Sequence, residues 1–147
     1  MNNVKQFCTF YLDGHFFGVE VEKVQEVIRY QEMTRVPRAP AVVSGLINLR
    51  GQIVTAVELR RRLGMPERDP SRLPMNVVVR SSDGIVSLLV DEIGDVQEVP
   101  QDLFEPPPPT LTGEERELIQ GAFKLDHQLL LTLDIERACQ IPEAVHD

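Results

Sequence analysis

Apolar and polar residues alternate along much of this chain, with the period of two that is typical of half-buried β-strands. Asp13-Gly14 and Asp83-Gly84 each interrupt such a run, and Asp-Gly is a strong signal for a two-residue hairpin turn. Arg50-Gly51 is predicted to form a third turn, because Gly tolerates the positive φ that hairpin turns require. The predicted hairpins join Gln6–Leu12 to His15–Val21, Ile47–Leu49 to Ile53–Val57, Asn76–Arg80 to Ile85–Asp91, and Gly121–Leu125 to Leu129–Leu133.

Helical spacing replaces this alternation in a few short segments. Val21, Val24, Val27 and Ile28 recur at intervals of three and four residues, which predicts a short helix with one apolar face. Two further single-turn helices are predicted after hairpins, at Glu58–Leu63 and at Ile135–Cys139. The remaining connections are expected to include a short strand at Arg29–Met33, a helical turn at Ala41–Ser44 and a proline-rich loop at 65–74.

The two halves of the chain resemble each other, which indicates an internal repeat. Val24–Val27 recurs letter for letter as Val96–Val99, and Gly45–Ile53 lines up with Gly121–Leu129. Both copies retain the apolar positions, whereas the polar residues of the turn differ: Asn48, Arg50 and Gly51 become Lys124, Asp126 and His127.

The repeat predicts the fold class and the organisation of the domain. We expect an all-β fold with a few short helices, in which each copy forms a small five-stranded antiparallel barrel. The single domain, 1–147, would then contain a first lobe at about 7–64, a second at about 75–139 and an inter-lobe loop at 65–74. Because lobes of this size have marginal cores, we expect them to share an apolar interface.

Composition indicates an acidic globular protein. Of the 147 residues, 42% are hydrophobic and 26% charged, and the formal net charge is −8. This charge argues against nucleic-acid binding, and no segment approaches the roughly 18 apolar residues that a membrane-spanning helix needs. The first ten residues lack the apolar core of a signal peptide, so we expect a cytoplasmic protein without direct membrane insertion. Cys8 and Cys139 are expected to be buried thiols rather than a disulfide.

The sequence contains no common catalytic or cofactor-binding motif. A Gly-rich phosphate loop, G-x-S-x-G, H-E-x-x-H and C-x-x-C are all missing from it, and no metal-ligand spacing links its cysteines to its histidines. His15 and His127 fall at predicted hairpin turns, where a histidine is most often solvated. We therefore expect no enzymatic activity, no cofactor and no metal, and consider recognition of other proteins instead.

Basic residues are concentrated in one part of this acidic chain. Seven of its fifteen lysines and arginines lie between Arg29 and Arg62, with two acidic residues among them. Such a face can steer an acidic partner. Alternatively, Arg60–Arg62 is the solvated side of a short helix. For Arg50, too, two interpretations are open: contact with a partner, or a structural role in binding hairpin carbonyl groups.

Several of these motifs resemble the CheW family of bacterial chemotaxis coupling proteins. The resemblance lies in GVEVEKVQEVI at Gly18–Ile28, VPRAP at Val36–Pro40 and, above all, GLINLRGQIVTAVELRRRL at Gly45–Leu63. It continues with VDEIGDV at Val90–Val96 and GAFKLDHQLLLTLDIERA at Gly121–Ala138, and so covers nearly the whole chain. Two positions depart from the family pattern without touching the turn signature: Thr55 stands where the family often has Pro, and Glu58 where it often has Asp.

This resemblance implies that the chain is a non-enzymatic adaptor. Similar proteins consist of two five-stranded SH3-like barrels and join the cytoplasmic tips of chemoreceptors to the histidine kinase CheA. They resemble the regulatory domain of that kinase and pair with it, barrel against barrel. The resemblance thus implies support of CheA control in receptor arrays at the inner face of the membrane.

The resemblance also implies a receptor-contacting region. In the first half, the positions that match the family motifs are Val24, Gln25, Glu26, Asn48, Leu49, Arg50 and Gly51. Their counterparts in the second half, Ile93 and Val96, would line a groove between the lobes. The kinase contacts are less clearly marked by motif and are left unassigned.

Two alternatives stay open at the level of sequence. One is a CheW-like regulatory module of another two-component, chemosensory-like pathway, or a fragment of a larger fused regulator, although this chain has no room for a receiver or kinase domain. The other is a small-ligand barrel, but lobes this small are expected to lack a roomy lumen.

Overall fold

A computed structural model describes residues 3–141 of the chain, which are mostly β-structure. The strands are β1 (Val4–Leu12), β2 (His15–Glu20), β3 (Val24–Ile28), β4 (Val43–Leu49), β5 (Gln52–Glu58), β6 (Met75–Ser81), β7 (Gly84–Val90), β8 (Glu92–Ile93), β9 (Gln97–Pro100), β10 (Ile119–Lys124) and β11 (Leu129–Leu133). The helices are α1 (Leu59–Arg62), α2 (Gly113–Leu118) and α3 (Ile135–Ala138), and 3₁₀ turns lie at Val21–Lys23 and Gln101–Leu103. The predicted fold class, all-β with a few short helices, is confirmed, as are the four predicted hairpins.

The strands form two sheets that exchange hairpins between the halves of the chain. The central sheet has the order β3-β6-β7-β5-β4, and the terminal sheet has the order β10-β11-β2-β1-β8, with β9 also paired to β1. The predicted lobe boundaries, 7–64 and 75–139, are therefore wrong, because β1–β2 and β6–β7 each join the sheet of the other half. A repeat reveals which segments are alike but not which copy each strand pairs with.

The two sheets nevertheless share one plan. Strand β5 runs parallel to β7 in the central sheet, and β11 runs parallel to β2 in the terminal sheet, so the prediction that the strands are antiparallel throughout is wrong for these two pairs. In each sheet an isolated bridge pairs an outer strand with a connecting segment: Thr34, in the connection after β3, pairs with Leu46 of β4, and Glu105, in the connection after β9, pairs with Ala122 of β10. Glycine permits both closures, since a Cβ on Gly45 would lie 2.7 Å from the Thr34 carbonyl oxygen, and one on Gly121 would collide with Phe104 and the Glu105 carbonyl.

The helix predicted across Val21–Ile28 is wrong. Only the 3₁₀ turn at Val21–Lys23 is helical, and the chain then extends as β3, with Val27 paired to Val77 of β6. A β-bulge between Val24 and Glu26 shifts the register of β3. Apolar spacing in a segment this short fits a helix and a bulged strand equally well, and the β-branched valines favour the strand.

Two of the predicted connections also differ in the structure. Arg29–Met33 forms no strand and instead carries the chain across to the bridge at Thr34. Ala41–Ser44 is a turn followed by the start of β4 rather than a turn of helix. In this turn the amide of Val43 donates a hydrogen bond to the carbonyl of Pro40, with an N···O distance of 2.9 Å.

An apolar core shared by the two sheets confirms the predicted interface. It contains Phe10 and Leu131 of the terminal sheet together with Val57 and Val79 of the central sheet. Two smaller clusters fill the separate sheets, one around Ile47 and Leu49 and the other around the three phenylalanines Phe7, Phe16 and Phe123. The sheets therefore pack as one hydrophobic unit.

Candidate functional site

The turn between β4 and β5 is the two-residue hairpin that the sequence predicts. Leu49 pairs with Gln52, which leaves Arg50 and Gly51 as the turn residues, with φ angles of 51° and 87°. Two positive φ angles are typical of a type I′ turn. The amide of Gly51 donates a hydrogen bond to Asn48 Oδ1 at 2.8 Å, so Asn48 stabilises the turn from within.

Arg50 ties this turn to the opposite edge of the central sheet. Its Nη2 donates to Glu26 Oε2 of β3, so an ion pair spans the gap between strands β3 and β4. The other carboxylate oxygen, Glu26 Oε1, is buried and has no hydrogen-bond partner among the described residues. The Arg50 side chain remains 69% exposed. Both groups therefore keep hydrogen-bonding capacity that the fold does not use.

The other residues of the first-half motif divide between surface and core. Val24 is half-buried against the shared core, and the neighbouring Gln25 is half-buried too. Leu49 is only 7% exposed and packs inside the central sheet, so its side chain supports the turn from below rather than presenting a contact surface. Val27, which was not among the predicted contact residues, is 38% exposed next to Glu26.

The second-half residues lie on the terminal sheet. Ile93 in β8 pairs with Phe10 and packs partly buried against the shared core, while Val96 is 56% exposed just before β9. Val24 and Ile93 thus pack against the same apolar core from the two sheets. No hydrogen bond or ion pair among the described residues joins either of them to the Glu26–Arg50 pair.

The structure contains a buried ion cluster near the junction of the sheets, which was not predicted from the sequence. Arg68 donates to Glu58 at 2.7 and 3.0 Å and to Asp91 at 2.8 Å, while Arg60 donates to Asp91 at 2.9 and 2.5 Å. All four side chains are at most 10% exposed. Asp91 also accepts from the amide of Asp13 in the β1–β2 turn, so the cluster connects the central sheet to the terminal sheet.

The interactions inside this cluster favour the ionised form of the Asp91 side chain. Burial alone would raise the pKa of Asp91, but the hydrogen bonds from Arg60, Asp13 and Arg68 outweigh it and lower the pKa to about 2. Charges of opposite sign balance among the four groups, which is how a protein tolerates buried ions.

The arginines of α1 consequently have separate roles. Arg60 is buried in the cluster, so neither interpretation of Arg60–Arg62 as a surface run holds for it. Arg61 pairs with Glu67 and donates to the Ala41 carbonyl at 2.9 Å. Arg62 donates to the Arg137 carbonyl at the end of α3. Nothing local in the sequence marks Arg68 as the partner of Glu58, since it lies in a proline-rich loop that reads as solvated.

The described residues also bear on metal sites and membrane-spanning helices. Between residues 3 and 141, no group of three or more His, Cys, Asp or Glu side chains is placed to hold a metal ion. Over the same range, no helix has the length and apolar character needed to cross a membrane.

The sequence and the fold of this chain are similar to those of known proteins. The sequence model of the CheW-like domain matches residues 6–143. The chain belongs to the CheW-like domain family. A solved CheW-like structure, described as the scaffolding protein TtCheW from Thermoanaerobacter tengcongensis, superposes with a TM-score of 0.85 at 25% identity and covers 99% of this chain and 98% of that one.

Two curated relatives carry the same family name. This CheW-like chain is 28% identical over 132 residues to the probable chemotaxis protein CheW of Rhizobium etli, covering 90% of this chain and 85% of the relative. It is 29% identical over 136 residues to the chemotaxis protein CheW of Treponema pallidum, covering 90% and 80%. These likenesses support the role of a chemotaxis adaptor and do not favour the alternative of a module from another pathway.

Proposed function

We propose that this chain is a non-enzymatic adaptor that couples chemoreceptor tips to the histidine kinase CheA and supports control of its activity. The observation that carries the proposal is the Glu26–Arg50 pair, which holds one unused buried acceptor and one largely exposed guanidinium at the same place. A partner that donates to Glu26 Oε1 and accepts from Arg50 would satisfy both. Pairing with the regulatory domain of CheA would recruit the chain to arrays at the inner, cytoplasmic face of the membrane.

A helical receptor tip suits the surface around this pair. Val24 and Val27 flank Glu26 along β3, and Val96, just before β9, is a separate exposed apolar side chain. An amphipathic helix binds such a surface through apolar side chains on one face, while charged groups at the rim set its register. In this proposal the valines supply apolar contact area, and the Glu26–Arg50 pair sets the orientation of the helix.

The positive φ of Arg50 supports a role beyond the turn itself. A non-glycine residue in the left-handed region is strained, and such strain is often retained where a side chain has a functional task. Asp126 occupies the aligned position in the β10–β11 connection without a positive φ. The terminal sheet therefore forms its hairpin without this strained arginine.

Variants of the pair test this proposal in a reconstituted complex of the chain, CheA and a receptor cytoplasmic fragment. We expect Arg50→Ala to weaken receptor binding about thirtyfold, as expected for truncation of a central contact, and to leave the melting temperature nearly unchanged. Asp126→Ala is the matched control and should change neither quantity. Unchanged receptor binding with a large drop in melting temperature would show that Arg50 is structural only.

A charge exchange separates direct contact from indirect support. Glu26→Arg combined with Arg50→Glu retains an ion pair across the gap but reverses both charges toward a partner. We expect the double variant to keep its fold and to remain defective in receptor binding and in kinase control. Restored binding would mean that the pair only positions the turn, and the receptor contact would then have to lie elsewhere.

A further inference from the structure

A concave surface lies in the connection between β3 and β4, next to the bridge between Thr34 and Leu46. Its cavity has a volume of about 720 Å³. It is lined by Met33, Arg35, Val36, Pro37, Arg38, Ala39, Pro40, Ala41, Val43, Ser44 and Arg61. We refer to it as the arginine pocket. Three of these residues are arginines and none is acidic, which stands out in a chain whose net charge is −8.

The arginine pocket is held open by the backbone. Thr34 and Leu46 exchange two hydrogen bonds of 2.8 Å at its base, and the amide of Val43 donates to the carbonyl of Pro40 at 2.9 Å. Pro37 and Pro40 restrict the chain between these anchors. A surface prepared in this way loses little conformational entropy when a ligand binds.

The arginines themselves differ in how they are engaged. Arg61 pairs with Glu67 and donates to the Ala41 carbonyl, so it braces the wall of the pocket. Arg35 and Arg38 are exposed and form no ion pair with any described residue. Arg38 also has a φ of 63°, a strained value for a residue with a side chain. Two free guanidinium groups therefore flank a preformed hollow.

From this arrangement we infer that the arginine pocket docks an acidic, extended segment of a protein partner. Paired carboxylates suit it because each guanidinium presents a planar fork of donors that matches a carboxylate. The residues involved are distinct from Glu26 and Arg50, so the inference goes beyond the proposed receptor contact. An acidic segment docked here would leave the Glu26–Arg50 surface free.

Peptide titration followed by NMR amide shifts tests the inference on the full chain. The probe is an acetylated and amidated (Asp-Glu)₄ peptide, and its amide counterpart (Asn-Gln)₄ is the control ligand. We expect saturable shifts at 35–44 with the acidic peptide only. We expect Arg35→Ala with Arg38→Ala to weaken its binding about tenfold, because each exposed ion pair contributes modestly.

The matched control variant is Arg72→Ala, an exposed arginine outside the pocket. It should leave peptide binding and melting temperature unchanged, and the double variant should melt like the parent chain. Equal weakening by Arg72→Ala, or shifts spread over the surface, would overturn the inference by showing nonspecific attraction. Inorganic phosphate that displaces the peptide at equal charge concentration would also overturn it, since the site would then be a simple anion site. Failure here leaves the Arg50 experiment unaffected.

Discussion

The central and terminal sheets follow one plan, yet polar chemistry is concentrated on the central sheet. Both have a glycine at the bridge and an acidic residue at the start of a helix that follows a hairpin, Glu58 after β4–β5 and Asp134 after β10–β11. The Arg50 turn with its ion pair to Glu26 belongs to the central sheet, and the four side chains of the buried ion cluster lie on that sheet and the segments next to it, with the Asp13 amide joining from the terminal sheet. The closing glycines and the helix-start acids are thus common to both sheets, whereas the Glu26–Arg50 pair distinguishes one sheet from the other.

The largest difference between the sheets should appear in the ion cluster. Arg60 is the second residue of α1, and Glu136 is the second residue of α3. Arg60 is buried against Asp91, whereas Glu136 lies at the surface and accepts hydrogen bonds from Ser82. We expect Arg60→Ala to lower the free energy of unfolding by about 3–5 kcal/mol, because it leaves the buried cluster of Arg68, Glu58 and Asp91 with one uncompensated negative charge. Glu136→Ala, at the exposed surface, should lower it far less. Urea denaturation measures both, and equal losses would contradict the asymmetry.

The closing glycines should instead make the sheets behave alike. A side chain at Gly45 or Gly121 would push against the backbone that crosses it. We expect Gly45→Ala and Gly121→Ala each to cost about 1–3 kcal/mol of unfolding free energy. Ser44→Ala and Gln120→Ala, one residue earlier, are the matched controls for thermal or urea unfolding. If only one glycine is sensitive, the two closures are not equivalent.

Acid should act mainly through the central sheet. The pKa of Asp91 is about 2 when folded, against 3.8 for a free side chain, so its contribution to stability is complete above about pH 4 and is lost as the pH falls toward 2. This loss amounts to about 2 kcal/mol. Unfolding free energies measured between pH 5 and 2 should show the slope, and Asp91→Asn should reduce it. A slope that survives the substitution would place the responsible carboxylate elsewhere.

The smallest effect concerns the two turns. Arg50→Gly should raise the unfolding free energy by about 1 kcal/mol, because glycine relieves the strain of a positive φ at this position. Asp126→Gly, at the aligned position without a positive φ, should be neutral or destabilising in the same thermal melts. A gain at both positions would remove the distinction between the turns.

Whether a feature of this fold could be predicted from the sequence depends on how close in the chain the residues that determine it are. The Asp13-Gly14 turn and the Asp134 cap were predictable, because a few neighbouring residues decide them. The helix predicted at Val21–Ile28 was wrong because the apolar spacing of this segment fits both a helix and a bulged strand. Only the pairing with β6 decides between the two. The exchange of hairpins and the Arg68–Glu58 contact depend on distant segments, so no local pattern announces them.

The candidate site shows the same division. The Asn48–Gly51 turn and its conformation followed from the sequence, and family resemblance singled out Glu26. That Arg50 reaches Glu26, and that one oxygen of Glu26 stays without a partner, required the structure. The burial of Leu49 also required it, since an apolar residue at a turn can face either side.

The exchanged hairpins impose an order on folding during synthesis. The N-terminal hairpin β1–β2 leaves the ribosome first, yet its neighbour β11 ends only at Leu133. All five strands of the central sheet, by contrast, are available once Val90 has emerged. Because domains fold as their parts become available, the central sheet can be completed before the terminal sheet, although the strands of the terminal sheet are the first to be synthesised. Until β11 has been made, the hairpin β1–β2 lacks this neighbour in its own sheet. A break in the 65–74 loop would therefore leave neither fragment with a complete sheet.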